Sequence, residues 1–164
     1  MHLKDLVARH QHEFKQKVAQ VFSEEYEMSV EQVLKKHGEV IAQYIQEKYR
    51  DVERAVSTIL KSQRPVVLSI RRDPCSEEVC MICERDQPNI EDLRQLYGNR
   101  IVFLDVYDSS PEGTLYHIIH RSGEDEGEKL LPLTAVIHRG ELIKYWSGRP
   151  VEVEEYWEYL DPLV

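Results

Sequence analysis

Three cysteines fall within nine residues, at Cys75, Cys80 and Cys83. An odd number rules out complete internal pairing, and the crowding points to site chemistry rather than to a framework of staples. Cys80-Met81-Ile82-Cys83 is a C-x-x-C, whose spacing brings two sulfurs close enough to form and break a disulfide. At the start of a helix, unpaired N–H groups and the positive end of the dipole favour a thiolate over a thiol. A cysteine with a free pKa of about 8.5 falls to about 7 or lower in such places. Glu77, Glu78 and Glu84 flank the motif and oppose the thiolate, whereas Arg85 supports it. The same pair is also half of a zinc site, which Cys75 and either His117 or His138 would complete. The spacing of all three cysteines matches a plant-type ferredoxin cluster, but the fourth cysteine such a cluster needs is absent. Cys75 otherwise reads as a bystander or as a regulatory thiol that traps Cys80.

Other constellations carry less. His10 and His12 are two apart and point to different sides of a helix, which makes a poor metal pair. His117 and His120 share a helix face, a pattern more common in surface or core packing than in ligation. The aromatic group Tyr145, Trp146, Tyr156, Trp157 and Tyr159 suits core and sheet-face packing. No glycine loop able to cradle a phosphate and no Ser-His-Asp pattern stands out.

The elements that must hold these residues follow from period and punctuation. Leu3, Leu6, Val7, His10, Phe14, Val18 and Val21 recur at three- and four-residue steps and predict an amphipathic helix that breaks near Ser23. Ser29 with Gln32 forms a capping box, and a second apolar stripe from Val40 runs to Lys61 before Pro65 stops it. The period then changes. Val66 to Ile70 reads as a buried strand, and Cys80 to Tyr97 as a helix closed by Gly98, with Ile82, Ile90, Leu93, Leu96 and Tyr97 on its apolar side. Ile101 to Tyr107 is the clearest strand. Ser110 and Pro111 open a helix through Ile119, and Arg121 to Lys129 reads as a polar, acidic loop. Leu133 to His138 and Glu141 to Trp146 form a hairpin about Arg139-Gly140. Val153 to Leu160 closes with a helix. Strands separated by helices predict a parallel core, with the terminal hairpin as an antiparallel edge.

From about residue 51 to 160 the sequence resembles the thioredoxin family. Pro88 lies five residues after Cys83, where the family carries the proline that kinks its active-site helix. Leu131-Pro132-Leu133-Thr134 resembles the segment bearing the family's cis-proline. Gly140 follows Pro132 by eight residues, and Gly148 follows Gly140 by eight, in the family's rhythm. Val79 stands where the family usually has Trp, and Met81-Ile82 where it usually has Gly-Pro or a His-containing pair. The buried acid of the family's central strand has Ser69 as its nearest counterpart. The resemblance implies an α/β fold: a thioredoxin-like mixed sheet flanked by helices, preceded by an α-helical N-terminal extension. It implies a thiol–disulfide oxidoreductase in which Cys80 attacks a partner's disulfide and Cys83 resolves the mixed disulfide. Pro132 would shape the substrate groove, the Leu131 backbone would pair with the partner chain, and Met81 and Ile82 would line the contact. The implied partners are a protein disulfide substrate and a reductase, with no cofactor and no metal. A redox-inactive binding adaptor on the same fold and a metal-binding regulator are the alternatives.

The charge balance separates the two regions. Residues 1–64 carry 11 Lys and Arg against 10 Asp and Glu, whereas residues 65–164 carry 10 against 20. The acidic part makes a poor nucleic-acid binder, because phosphate contacts need clustered positive charge. No apolar run approaches the roughly 20 residues of a membrane span, and no apolar signal core opens the sequence, so a cytoplasmic location is expected. Residues 1–50 form the expected helical extension and 51–164 the thioredoxin-like domain. The stripes of the extension need burial, against their own domain, a docked partner, or a second copy in a homodimer through residues 1–50.

Overall fold

The computed structural model describes residues 1–120 and 131–164, so the expected acidic loop at Arg121 to Lys129 lies outside the described residues. Two long helices come first, α1 (Leu3–Glu25) and α2 (Val30–Lys61). Ser29 and Gln32 close the capping box at the start of α2: the Ser29 hydroxyl accepts from the Gln32 N–H at 3.2 Å, and the Gln32 side chain accepts from the Ser29 N–H at 3.1 Å. The chain continues as β1 (Val66–Arg71), α3 (Met81–Tyr97), β2 (Val102–Tyr107), α4 (Leu115–His120), β3 (Leu133–His138), β4 (Glu141–Ser147) and α5 (Val153–Leu160).

The four strands form one sheet in the order β2-β1-β3-β4. Only β1 and β2 run parallel; β3 lies antiparallel to β1, and β4 antiparallel to β3. The expected parallel core with an antiparallel edge is therefore corrected: the hairpin contributes an interior strand as well as an edge. The burial pattern gives the reason. Leu133 to Ile137 are buried without alternation, as an interior strand covered on both faces requires, whereas β4 is partly exposed along its length. The Arg139-Gly140 turn has φ of 51° and 84°, and a Cβ on Gly140 would lie 2.3 Å from the His2 ring. Glycine there serves both the turn and the close approach of the N-terminal segment.

The two-residue period of β1 divides the core. Val66, Leu68 and Ile70 face α1, α2 and α4, joined by Leu133, Ala135 and Ile137 of β3. Val67 and Val136 face the other side, where Leu93 and Tyr97 of α3 and Tyr156 and Leu160 of α5 cover them. Helices thus flank both faces, in a thioredoxin-like α/β fold with a helical N-terminal region. That region shares the first core. Leu3 and Leu6 are buried in the same apolar cluster as Val66 and Leu68. The Leu3 N–H donates to the Gly140 carbonyl at 2.7 Å, and His2 bridges to Glu141. Along the hairpin of α1 and α2, His10 Nδ1 lies 2.6 Å from the Tyr49 hydroxyl, and Phe14 packs on Tyr44 and Tyr49.

Leu6→Ala should cost about 2–5 kcal/mol, because the site lies between packed elements that cannot collapse on a deleted side chain. Urea unfolding should show one transition at a lower midpoint. A loss under about 1 kcal/mol, or a separate early transition for the helical region, would contradict a core shared between α1 and the sheet.

Candidate functional site

β1 delivers the chain to one end of the sheet, and residues 72–80 carry it over to α3. This connection is tied down by its own polar groups. Asp73 Oδ1 accepts from the Cys75 N–H at 2.9 Å, and Asp73 Oδ2 accepts from the Ser109 hydroxyl at 3.0 Å. Those two bonds hold the Asp73 carboxyl below its ordinary range, the Cys75 N–H contributing most. Asp108 accepts from the Asp73 N–H at 3.0 Å, and Arg72 reaches Glu78 at 2.6 Å.

Cys80 is the N-cap of α3, and its Sγ accepts from the Cys83 N–H at 3.2 Å. A cysteine sulfur thus takes the place that a Ser or Asp oxygen usually fills. Cys80 and Cys83 are joined by a disulfide, with Cα atoms 5.3 Å apart. Cys83 is 6% exposed, while Cys80 is half-buried. Cys80 Sγ lies 3.9 Å from the Leu131 carbonyl oxygen. The Leu131–Pro132 peptide bond is cis, Pro132 is buried, and its carbonyl accepts from the Gly148 N–H at 2.9 Å. Met81 and Val79 stand exposed beside the disulfide, and Ile82 is half-buried. A cavity of about 510 Å³ opens next to the pair, lined by Arg71, Cys80, Cys83, Gln87 and Tyr107 among others.

The structure brings together Cys80, Cys83 and Leu131. Cys75 is exposed on the connecting segment with a free thiol. His138 ends β3 far from Leu133, and His117 lies on α4, across the sheet from α3. Neither joins the cysteines, and among the described residues no group of three or more His, Cys, Asp or Glu could hold a metal. Leu96, expected on the apolar side of α3, is 47% exposed; the buried stripe is Cys83, Asp86, Ile90, Leu93 and Tyr97.

Two buried charged residues escaped the sequence reading. Ser69 is buried on β1 with no partner for its hydroxyl among the described residues, and the buried acid comes from α3 instead. Asp86 is fully buried. Its Oδ1 accepts from the Val151 N–H at 2.9 Å and from the Asn89 amide at 3.3 Å, while Oδ2 has no partner among the described residues. Burial pushes the carboxyl above its ordinary value; the Val151 N–H, Asn89 and the charges of Arg71 and Arg149 act the other way. Arg71 ends β1 on the same face as Val67, and its guanidinium donates to the Cys83 carbonyl and to Gln87 Oε1. The signal for both was periodicity. Asp86 falls on the three- and four-residue rhythm of α3, and Arg71 on the two-residue rhythm of β1.

By its strand order and packing the chain therefore combines a thioredoxin-like fold with a bonded C-x-x-C at the start of a helix. No family model and no curated protein matches it. Solved structures similar to it include mitochondrial thioredoxin 3 from Saccharomyces cerevisiae in its oxidized form, at 14% identity and a TM-score of 0.49, covering 68% of this chain and 90% of that one. Thioredoxin-2, a component of malaria parasite protein secretion machinery, matches at 17% identity and a TM-score of 0.46, over 60% of this chain and 82% of that one. A malarial protein matches at 16% identity and a TM-score of 0.46, over 62% and 98%.

The Asp86 environment predicts a pH signature. The folded pKa lies above the unfolded value of about 3.9, so between the two the native state binds the extra proton. Stability then falls as pH rises through that interval, by at most about 1.4 kcal/mol per pH unit. Asp86→Asn removes this titration. The stability difference, variant minus wild type, should grow as pH rises from below 3.9 and then level off. Denaturant unfolding across the acid range measures it, and a flat difference would show that burial does not perturb this carboxyl.

Proposed function

We propose that the protein is a thiol–disulfide oxidoreductase that exchanges disulfides with a protein partner through Cys80 and Cys83. The observation that supports this most is the unequal exposure of two bonded cysteines at a helix start, with the buried Cys83 one turn behind the half-buried Cys80. In the reduced protein the Cys80 thiolate attacks one sulfur of a partner disulfide. A mixed disulfide forms, and the partner's second sulfur leaves with the electron pair of the broken bond. The Cys83 thiolate then attacks Cys80 Sγ, which releases the partner as a dithiol and restores the Cys80–Cys83 bond. Two electrons pass to the partner, and a reductase returns them. The Leu131 carbonyl, 3.9 Å from Cys80 Sγ, accepts from the partner's backbone in this reading. Pro132 shapes that side of the groove, and Met81 and Ile82 give it an apolar rim. Cys75 serves as a regulatory thiol able to trap Cys80. The reading includes a cytoplasmic location; no helix among the described residues is long and apolar enough to cross a membrane.

A second reading, a binding adaptor on the same fold, is favoured by one observation. Between α1 and α2 runs an apolar groove of about 450 Å³ where Val21, Val40 and Tyr44 are at least half exposed. Residues 1–50 would there meet a partner or a second copy, apart from the domain from residue 51 onward.

Insulin reduction with dithiothreitol separates the readings. The wild type should accelerate it, Cys80→Ser should abolish the acceleration, and Cys83→Ser should accumulate a mixed disulfide. An inactive wild type would leave the adaptor reading. Alkylation of the reduced protein followed by mass spectrometry should label Cys80 before Cys83; the reverse order would overturn the assignment of nucleophile and resolver.

A further inference from the structure

Arg71 is a buried cation with no carboxylate at ion-pair distance among the described residues. Its residue is 6% exposed, and both hydrogen bonds of its guanidinium go to neutral acceptors, the Cys83 carbonyl and the Gln87 side-chain amide. Among the described residues its Nε has no partner and it forms no ion pair. A guanidinium does not lose its proton in a protein, and a buried charge left uncompensated is costly. The fold therefore holds a fixed positive charge at low solvent exposure, directly under the first turn of α3.

The carboxylates around it are bonded to other groups or face solvent. On α3, the buried Asp86 acts on Arg71 through its charge but forms no ion pair with it, and its Oδ1 is taken by the Val151 N–H and the Asn89 amide. Glu84, also on α3, points to solvent at the cavity rim. From β2, Asp105 lines the same cavity from an exposed position. In the connecting segment, Glu78 and Asp73 are engaged by Arg72 and by Cys75 and Ser109. Arg149, ahead of α5, is paired with Glu155.

Reduction of the disulfide brings an anion into the cavity beside Arg71. Two electrons and one proton convert the Cys80–Cys83 bond into one thiol and one thiolate. That anion forms in the cavity that Arg71 lines with both cysteines. We propose that Arg71 is the electrostatic partner of the reduced cysteine pair, a positioning residue that stabilises its thiolate and so makes the disulfide easier to reduce. It touches the Cys83 carbonyl and acts on the sulfurs through the cavity and the first turn of α3. The inference rests on the oxidoreductase reading and names the residue that sets the poise of that site.

The test equilibrates the full chain with reduced and oxidised glutathione. Two glutathione thiols give two electrons to the Cys80–Cys83 bond and become glutathione disulfide; one proton is released when a cysteine remains as thiolate. Wild type, Arg71→Met and Arg71→Lys are compared, with thiolate absorbance followed against pH in the reduced forms. Arg71→Met should need a roughly tenfold more reducing glutathione ratio, and the first apparent thiol midpoint of the pair should rise by about one unit. Arg71→Lys keeps the charge and should stay within about threefold of wild type. Should Arg71→Met fail to fold, Arg71→Gln carries the same expectation. Equal values for wild type and the neutral variant overturn the inference alone, as does Arg71→Lys behaving like Arg71→Met, because both exclude the charge as the cause. A wild-type pair that does not exchange with glutathione overturns the oxidoreductase reading and the inference with it.

Discussion

β1 is hydrogen-bonded on both edges and covered on both faces, and the site depends on that double burial. Its pairing to β2 and β3 fixes where the strand ends, and its end fixes where α3 begins. The two faces have separate consequences. Val66, Leu68 and Ile70 anchor the helical region, while Val67, Ser69 and Arg71 lie under α3. A one-residue slip in register would exchange these sets and put the guanidinium into the apolar cluster of α1 and α2. The apolar packing on one side therefore holds the polar contact on the other in register.

At the site, local helix physics and surface charge pull in opposite directions. The Cys83 N–H reaches Cys80 Sγ, so an unpaired donor of the helix start is aimed at sulfur. Glu84 in the first turn suits the helix dipole but opposes a neighbouring thiolate. The acidic excess of residues 65–164 adds to that opposition. Glu77, Glu78 and Glu84 are exposed and screened by water and salt within roughly 8–10 Å. Arg71 is not, and Coulomb energy grows as the effective dielectric falls. One buried cation can therefore outweigh several surface anions, which is why burial decides the balance more than a count of charges does.

Much of this was legible in the sequence, because each element carries its own punctuation. The capping box at Ser29, the stop at Pro65, the Gly98 terminus and the Arg139-Gly140 turn are local, and the structure places each where its chemistry puts it. The direction of β3 was not legible. An uninterrupted apolar strand records that both faces are covered but not which way its neighbour runs. Asp86 and Arg71 were missed for a related reason. Charged residues are expected at the surface, and only the alternation of β1 and the stripe of α3, taken together, put both on the buried side between these elements.

The helical region follows from the same constraint at longer range. α2 is continuous across the expected boundary near residue 50, with Val33, Ile41, Ile45, Tyr49, Val52, Val56 and Ile59 buried along one stripe. At about 1.5 Å per residue it is roughly 48 Å long. Its second half packs in the cluster that contains β1, and its first half packs on α1. No Gly- or Pro-rich hinge interrupts it; Gly38 stands within the helix. A helix clamped at one end by the sheet and sheathed along its length by α1 cannot swing as a tether would. The apolar groove near Val21 and Val40 is therefore held at a set distance and angle from the disulfide, and the burial of β1 sets both.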